Sequence, residues 1–269
     1  MSDDRTPPTL DVLLPVAARG DAGRLAPRAD EAELVALFAD AAPPAGRRVH
    51  VRANMVSSLD GAATGPDRRS GSINDAADHR VFAALRVLAD VVLIGAGTAR
   101  TEGYGPLGTP APLRGTRRAH GRPDEVELAL VTASGAVPDG LLDAARPPFV
   151  VTVAQCPVLD ALRTRIGPER VLVAGDEQVD LATALDLLAD RGLRHVLTEG
   201  GPHLLSGLLA ADLVDELCLT WTPLVVGGPA PRATRTDAWL DPVRHARPAH
   251  LLHAGGTLLG RWVIDRLAG

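Results

Sequence analysis

Along this chain, apolar runs of strand length alternate with apolar residues at helical spacing. RRVHVRANMV (47–56), DVVLIGAGT (90–98), VELALVTASG (126–135), PPFVVTVA (147–154), ERVLVAGD (169–176) and RHVLTEGG (194–201) read as strands. Several are continuous apolar runs, the pattern of strands covered on both faces of a parallel sheet. NDAADHRVFAALRVLA (74–89) reads as an amphipathic helix, with Val81, Leu85 and Leu88 on one face and Asp75 and Asp78 near the positive N-terminal end. VDLATALDLLADRGL (179–193) and PHLLSGLLAADL (202–213) read as helices, the second starting on a proline. DELCLTWTPLVVGG (215–228) reads as a long strand, and AHLLHAGGTLLGRWVID (249–265) as a hairpin about Gly255-Gly256. The pattern predicts an α/β fold with a mostly parallel sheet, helices on both faces and antiparallel strands added by the C-terminal hairpin.

Upstream, TLDVLLPVA (9–17) has strand character. ADEAELVALFADA (29–41) has helical spacing with Asp30 as its cap, and APPAG (42–46) breaks the chain. Residues 1–46 are therefore expected to form an extension packed on the domain or on a partner subunit, and 47–269 one domain. The Pro- and Gly-rich stretch 103–123 is expected to be a long loop and a candidate lid.

The 269 residues carry 46% hydrophobic side chains and a net charge of −5, which points to no nucleic-acid or membrane partner. All 28 basic residues are arginine, a compositional bias that lowers the weight of any single one. Cys156 and Cys218 form no CxxC pair and read as small buried apolar residues. No apolar run reaches bilayer-spanning length, and the acidic start lacks the features of a signal peptide, so a cytoplasmic location is expected. His245, His250 and His253 sit in a Pro-broken loop and the hairpin without a matching carboxylate pattern, so no metal site is expected.

Two strand ends carry candidate chemistry. IGAGTAR (94–100) begins like a dinucleotide fingerprint, but Arg100 stands where the third glycine belongs; it is a tight turn or a ligand-facing strand end with the Thr98 hydroxyl. TEGGPHLLSG (198–207) leads a glycine pair into a helix, whose free N–H groups and dipole suit a phosphate. Glu199 beside it is either solvated or aimed at a ligand hydroxyl. A third segment, NMVSSLDGAATG (54–65), leaves a strand through Asp60-Gly61, a turn former or a hydrogen-bond acceptor.

Taken in order, SLDG (58–61), SxxI (Ser70 to Ile73), LR (Leu85-Arg86), GAGT (95–98) and EGGP (199–202) resemble the reductase family of riboflavin biosynthesis, over about residues 47–267. The resemblance implies a dihydrofolate-reductase-like fold, NADPH as cofactor, a ribosylaminopyrimidine phosphate as substrate and a homodimer; the 215–228 strand is a candidate for its interface. It places Thr98, Glu102 and the segment Gly200, Gly201, Pro202, His203 and Leu204 on the dinucleotide. It puts Val56 and Ser72 on the nicotinamide side, and Thr132 and Ser134 near the adenosine 2′-phosphate. Ser70 and Arg86 are implied to hold the substrate, chiefly its phosphate, and Glu199 its sugar hydroxyls. Asp60 becomes the candidate catalytic group, accepting from the heterocycle or passing a proton through water.

The sequence departs from the family where basic residues are expected, at Asn54, Ala62 and Thr109. Asn54 keeps a place among the substrate-binding candidates, and Arg114, Arg117 or Arg118 could stand in for the base missing at Thr109. These departures leave two alternatives: reduction of a less anionic pterin, or a non-catalytic NADPH-binding protein. The zinc signature of the deaminases fused to some relatives does not occur.

Overall fold

In the computed structural model, which describes residues 7–15, 23–39, 42–236 and 238–267, strands β1 (Leu10–Leu14) and β2 (Arg24–Leu25) lead to helix α1 (Ala32–Phe38). Strand β3 (His50–Ser58), a 3-10 turn (Ser70–Ser72) and helix α2 (Ala76–Leu88) follow. Next come β4 (Val91–Gly95), α3 (Ala96–Glu102), α4 (Ala111–Ala119), β5 (Glu127–Val131) and α5 (Asp139–Leu142). The chain continues through β6 (Phe149–Thr152), α6 (Leu159–Ile166), β7 (Val171–Val173), α7 (Leu181–Ala189), β8 (His195–Thr198) and α8 (Pro202–Ala210). Strands β9 (Glu216–Thr222), β10 (Ala246–Ala254) and β11 (Thr257–Ile264) complete it.

The strands form one sheet in the order β2-β1-β10-β11-β9-β3-β8-β4-β5-β6-β7. Every pairing from β9 to β7 is parallel, and β9–β11, β11–β10, β10–β1 and β1–β2 are antiparallel. This is the mostly parallel α/β arrangement with a C-terminal hairpin expected of a dihydrofolate-reductase-like fold. Gly255 and Gly256 turn the hairpin with φ of +57° and +91°, values that a two-residue turn of this hand requires. Phe38 of α1 and Val81 and Leu85 of α2 pack with Val92, Ile94 and Leu197 on one face. Leu185 and Leu188 of α7 and Leu205 and Leu208 of α8 cover Val51, Leu93 and Val196 on the other. No helix among the described residues is long and apolar enough to cross a membrane.

Several boundaries differ from the sequence-based expectations. The strand expected at 90–98 ends at Gly95, because Ala96 starts α3; GAGT is thus a strand-to-helix junction. The expected 103–123 loop contains α4, whose Pro112 sits in the first turn, where a missing N–H costs nothing. The strand expected to run to residue 228 stops at Thr222 before Pro223. In α1 the N-cap is Glu31, not Asp30. The Glu31 carboxylate is held by Arg80 of α2 at 2.6 and 2.7 Å, and Arg80 also donates to the carbonyls of Pro8, Leu25 and Ala26. Through β1 and Arg80 the N-terminal segment joins the sheet and α2. Residues 16–17 of the expected first strand and 40–41 of the expected first helix lie outside the described residues.

None of the arginines proposed as replacements for the missing base supplies a free cation to a cavity. Arg114 pairs with Glu125 and Arg118 with Asp124. Arg117 is fully buried and donates to the carbonyls of Arg86, Val87 and Ala89 at the end of α2, as well as to those of Pro123 and Glu125. It satisfies the helix C-terminal carbonyls that α2 leaves open. Burial lowers its pKa to about 10, so it stays charged at neutral pH. Arg117→Ala strands these carbonyls and should lower the unfolding free energy by about 3–5 kcal/mol. Urea unfolding measures it; a loss under about 1 kcal/mol would contradict the assignment.

Candidate active site

The carboxyl ends of β3, β4 and β8 meet around a cleft of two adjoining chambers, the place where open parallel sheets bind ligands. The first, of about 270 Å³, is lined by Asn54, Ser70, Asp78, Phe82 and Arg86 among others. The second, of about 400 Å³, is lined by Gly97, Thr98, Gly201, Pro202, His203 and Leu204 among others. Met55, Ser70, Glu102, Tyr104 and Glu199 line both.

Glu199, at the exit of β8, is the junction. Its side chain is 2% exposed, and its two oxygens accept from Arg86 Nε and Nη2 at 2.6 and 2.7 Å. Tyr104 Oη donates to the same carboxylate at 2.7 Å. The Arg86 guanidinium also stacks 4.1 Å from the Phe82 ring centre. Burial works against the Arg86 charge, but Glu199 outweighs it and raises the Arg86 pKa. Burial and the Glu199 carboxylate together raise the pKa of Tyr104, which remains a neutral hydrogen-bond donor. Arg86 therefore offers a ligand only what the Glu199 pair leaves over.

The second chamber is built from glycine and the start of α8. Gly201 N donates to Thr98 Oγ1 at 3.0 Å, and Gly95 N to the Gly200 carbonyl at 3.3 Å, which stitches the two glycine-bearing strand ends together. A Cβ on Gly201 would stand 2.4 Å from Thr98 Oγ1, and Gly200 has φ +92°. The α8 N-terminus has no side-chain cap, so its first N–H groups are free for an anion. A dinucleotide pyrophosphate fits this bare backbone cradle. Glu102, from α3, accepts from Ser70 N at 2.9 Å and so fixes the wall shared by the two chambers.

The structure brings Asn54, Val56, Ser70, Arg86, Glu102, Glu199, Thr98, Gly201, Pro202, His203 and Leu204 onto the cleft, with Val56 beside Asn54 in the first chamber. Other candidates lie outside both chambers. Ser72 is exposed, with its hydroxyl on Asp67 and the Arg69 carbonyl. Thr132 and Ser134 form a turn after β5, where Thr132 Oγ1 accepts from Gly135 N at 3.1 Å. Asp60 is exposed and bonded to Ser58 Oγ at 2.5 Å and to the N–H groups of Val226 and Gly227 at 3.1 and 2.7 Å. These bonds hold its pKa down at about 2 and tie the SLDG loop to the segment after β9.

The sequence reading missed Tyr104 and the role of Asp78. A usable signal existed: Asp78, Phe82 and Arg86 follow at intervals of four, one stripe of α2 distinct from its core face. The C-terminal histidines do not converge. His250 is buried edge-on to Phe38, and burial pushes its pKa down to about 4; His253 Nε2 accepts from Gly256 N. Among the described residues no group of three or more His, Cys, Asp or Glu could hold a metal ion.

The family model described as the RibD C-terminal domain matches residues 49–255. A 2,5-diamino-6-ribosylamino-4(3H)-pyrimidinone 5′-phosphate reductase of Archaeoglobus fulgidus is 30% identical over 184 residues, covering 67% of this chain and 83% of that protein. Its namesake from Methanothermobacter thermautotrophicus is 28% identical over 193 residues, covering 67% and 81%. Among solved structures, a pyrimidine reductase-like protein of Corynebacterium diphtheriae superposes with a TM-score of 0.72 at 26% identity, covering 81% of this chain and 93% of that one.

Asp78 has a measurable cost. Burial raises its pKa from 3.8 to about 6, with Asp75 adding to the rise and the Thr220 hydroxyl and His79 opposing it. The folded state then holds this proton more tightly than the unfolded chain does. Its contribution to stability falls as pH rises from about 4 to about 6 and stays low above that. Asp78→Asn should be more stable than the parent by up to about 3 kcal/mol above pH 6, with the gain vanishing near pH 4. Urea unfolding at the two pH values measures this; a gain independent of pH would contradict it.

Proposed function

The chain belongs to the RibD C-terminal domain family, and on that basis we propose that it is an NADPH-dependent reductase of a ribosylaminopyrimidine 5′-phosphate in riboflavin biosynthesis. The observation that carries this reading is the Arg86–Glu199–Tyr104 cluster, set where a bare glycine cradle adjoins a polar chamber. The cradle of Gly200, Gly201, Thr98 and the α8 N-terminus takes the pyrophosphate. The Thr132–Ser134 turn, with Arg100 donating to the Ala136 carbonyl beside it, takes the 2′-phosphate of the cofactor. When bound, the reduced nicotinamide supplies a hydride for C1′ of the opened ribosylamine, which becomes a ribitylamine.

The protein's part is placement. Glu199, fixed by two donors, presents its remaining acceptor sites to the sugar hydroxyls. Arg86 Nη1, together with Ser70, is turned to the substrate phosphate. Buried Val56 and Met55 exclude water from the floor of the cleft. Asp60 orders the loop that closes the β3 exit, in place of acting on the substrate directly. The half-buried Leu217, Leu219, Trp221 and Trp262 on the open side of β9 and β11 support a homodimer through that face. A cytoplasmic location belongs to the same reading.

NADPH oxidation with the diaminopyrimidinone ribosyl phosphate, its uracil counterpart and dihydrofolate in parallel tests this. Turnover of a pyrimidine phosphate without dihydrofolate turnover is expected; dihydrofolate alone being reduced would overturn the reading. Arg86→Ala should lower kcat/KM for the pyrimidine about 10- to 100-fold. It should change NADPH affinity less than about threefold, because the cradle lies in the other chamber. Equal losses in both would contradict the division of the cleft.

A further inference from the structure

A cavity of about 250 Å³, separate from the cleft, lies at the amino ends of β3 and β8. His50 and His195, the first residues of those strands, are register partners, and their rings stand 6.5 Å apart. Strand residues alternate between faces, so His50, Arg52 and Asn54 share the α2 side of β3. Asn54 lines the cleft, whereas His50 and Arg52 line this cavity together with His120, Arg122 and His195. Three of the chain's eight histidines and two arginines therefore meet here, and no carboxylate among the described residues lines the space. The carboxylates behind it are already engaged. Glu216 accepts from Arg52 Nε at 2.7 Å and from Arg261 Nε and Nη2 at 3.0 and 2.6 Å. Asp90 accepts from Arg122 Nη1 at 3.0 Å and from the Arg194 and His195 backbone N–H groups at 2.8 Å, and His195 Nδ1 lies 3.1 Å from it. Among the described residues three guanidinium groups thus share two carboxylates, which leaves a surplus of positive charge before any histidine is protonated. Arg122 Nε is buried with no hydrogen-bond partner among the described residues, and an orphaned buried donor is costly unless a ligand accepts from it. The rest of the wall is largely apolar, with Phe38 and Ala42 from the N-terminal segment and Leu85 and Leu88 from α2.

We propose that this cavity is a second ligand site, which binds a small organic carboxylate with its head group on Arg52 and Arg122 and its apolar body against Phe38, Leu85 and Leu88. The surplus charge calls for an anion, and both arginines have donors left to receive one. Arg52 uses Nε on Glu216 and Nη2 on the Phe38 carbonyl, which leaves Nη1. Arg122 uses only Nη1, on Asp90. The two oxygens of a carboxylate match such guanidinium donors. Inorganic phosphate would leave the apolar half of the wall uncovered, and a neutral apolar molecule would leave Arg122 Nε unpaired. The volume is below the roughly 300 Å³ at which ordinary ligand clefts begin, so the occupant is a single small ring or short chain, not a dinucleotide. The site does not depend on the reductase reading. His50 and His195 each lie four residues before the cleft residues Asn54 and Glu199, so about 13 Å of strand divides the two sites. A bound carboxylate would fasten the N-terminal segment to α2 and to the bases of β3 and β8, and so stabilise the folded state in proportion to its occupancy.

Calorimetric titration of the full-length protein with benzoate, inorganic phosphate and benzyl alcohol, each with and without NADP⁺, tests this. Benzoate should bind with a Kd of about 1 mM or tighter, unaffected by NADP⁺. Phosphate and benzyl alcohol, which each lack one half of the match, should bind at least about tenfold more weakly. Arg122→Gln, which keeps a donor for Asp90, should weaken benzoate at least about tenfold. Ala42→Trp, at an exposed position on the cavity wall, should block it. Benzoate should raise the melting temperature of the parent and leave that of Ala42→Trp unchanged. No benzoate binding at millimolar concentrations overturns the proposal, as does phosphate or benzyl alcohol binding as tightly as benzoate. Benzoate affinity unchanged in either variant, or displacement of benzoate by NADP⁺, places the ligand elsewhere and overturns it as well. None of these outcomes touches the reductase reading, which stands or falls on turnover.

Discussion

The buried carboxylate of Glu199 is the constraint on which the cleft depends. A charge 2% exposed at the end of a parallel strand is stable only when donors surround it, and here they come from two separate elements. Arg86 reaches it from α2, and Tyr104 from the segment after α3. Satisfying one charge therefore fixes three pieces of chain relative to one another. The wall between the two chambers follows from that convergence. The Glu102 carboxylate extends it by holding the Ser70 backbone from α3.

Two kinds of chemistry line the cleft, and each comes from a different part of the chain. The glycine side is nearly all backbone: a Cβ on Gly200 or Gly201 would run into Met55 or Thr98, and the uncapped start of α8 lies beside them. The α2 side is mostly side chain, on the inner face of β3 and one stripe of α2. One of its groups, Asn54 Oδ1, is buried with no hydrogen-bond partner among the described residues, an arrangement that costs stability and is retained at sites that bind. Buried Glu216, outside the cleft, is fully paired. Glu216 sits among His50, Arg52 and Arg261, which outweigh its burial and hold its pKa well below the ordinary carboxylate range. That contrast sets Asp78 and Asn54 apart from the structural ion pairs.

The layered plan was legible in the sequence because burial on both faces leaves continuous apolar runs, as in VVLIG and the runs at β5 and β6. The glycine turns were legible because positive φ and close approach admit few other residues. Helix α4 was not, since its prolines look like loop residues until Pro112 is seen in a first turn. Arg117 was equally opaque: a lone Arg in an Arg-rich chain gives no sign that it will cap α2 from inside. Asp78 was read as a helix-dipole residue, which is a sufficient local explanation and so concealed its place in the cleft. Asp60 shows the reverse case, where a motif residue proved to be bonded to backbone N–H groups across the loop rather than turned into a chamber. Local sequence rules see the element a residue belongs to, but not which distant strand will face it.

On the proposed function, one cleft divided at Glu199 holds the dinucleotide on its glycine side and the pyrimidine on its α2 side. A crystal structure with NADP⁺ and the ribitylamino product tests it most directly. The expected result is the pyrophosphate on the Gly201–Leu204 turn, the pyrimidine in the chamber lined by Asn54, Ser70 and Arg86, and the ribityl hydroxyls on Glu199. Either ligand bound instead in the separate cavity beside Phe38 and His50, or a Glu199 side chain turned away from the sugar, would contradict it.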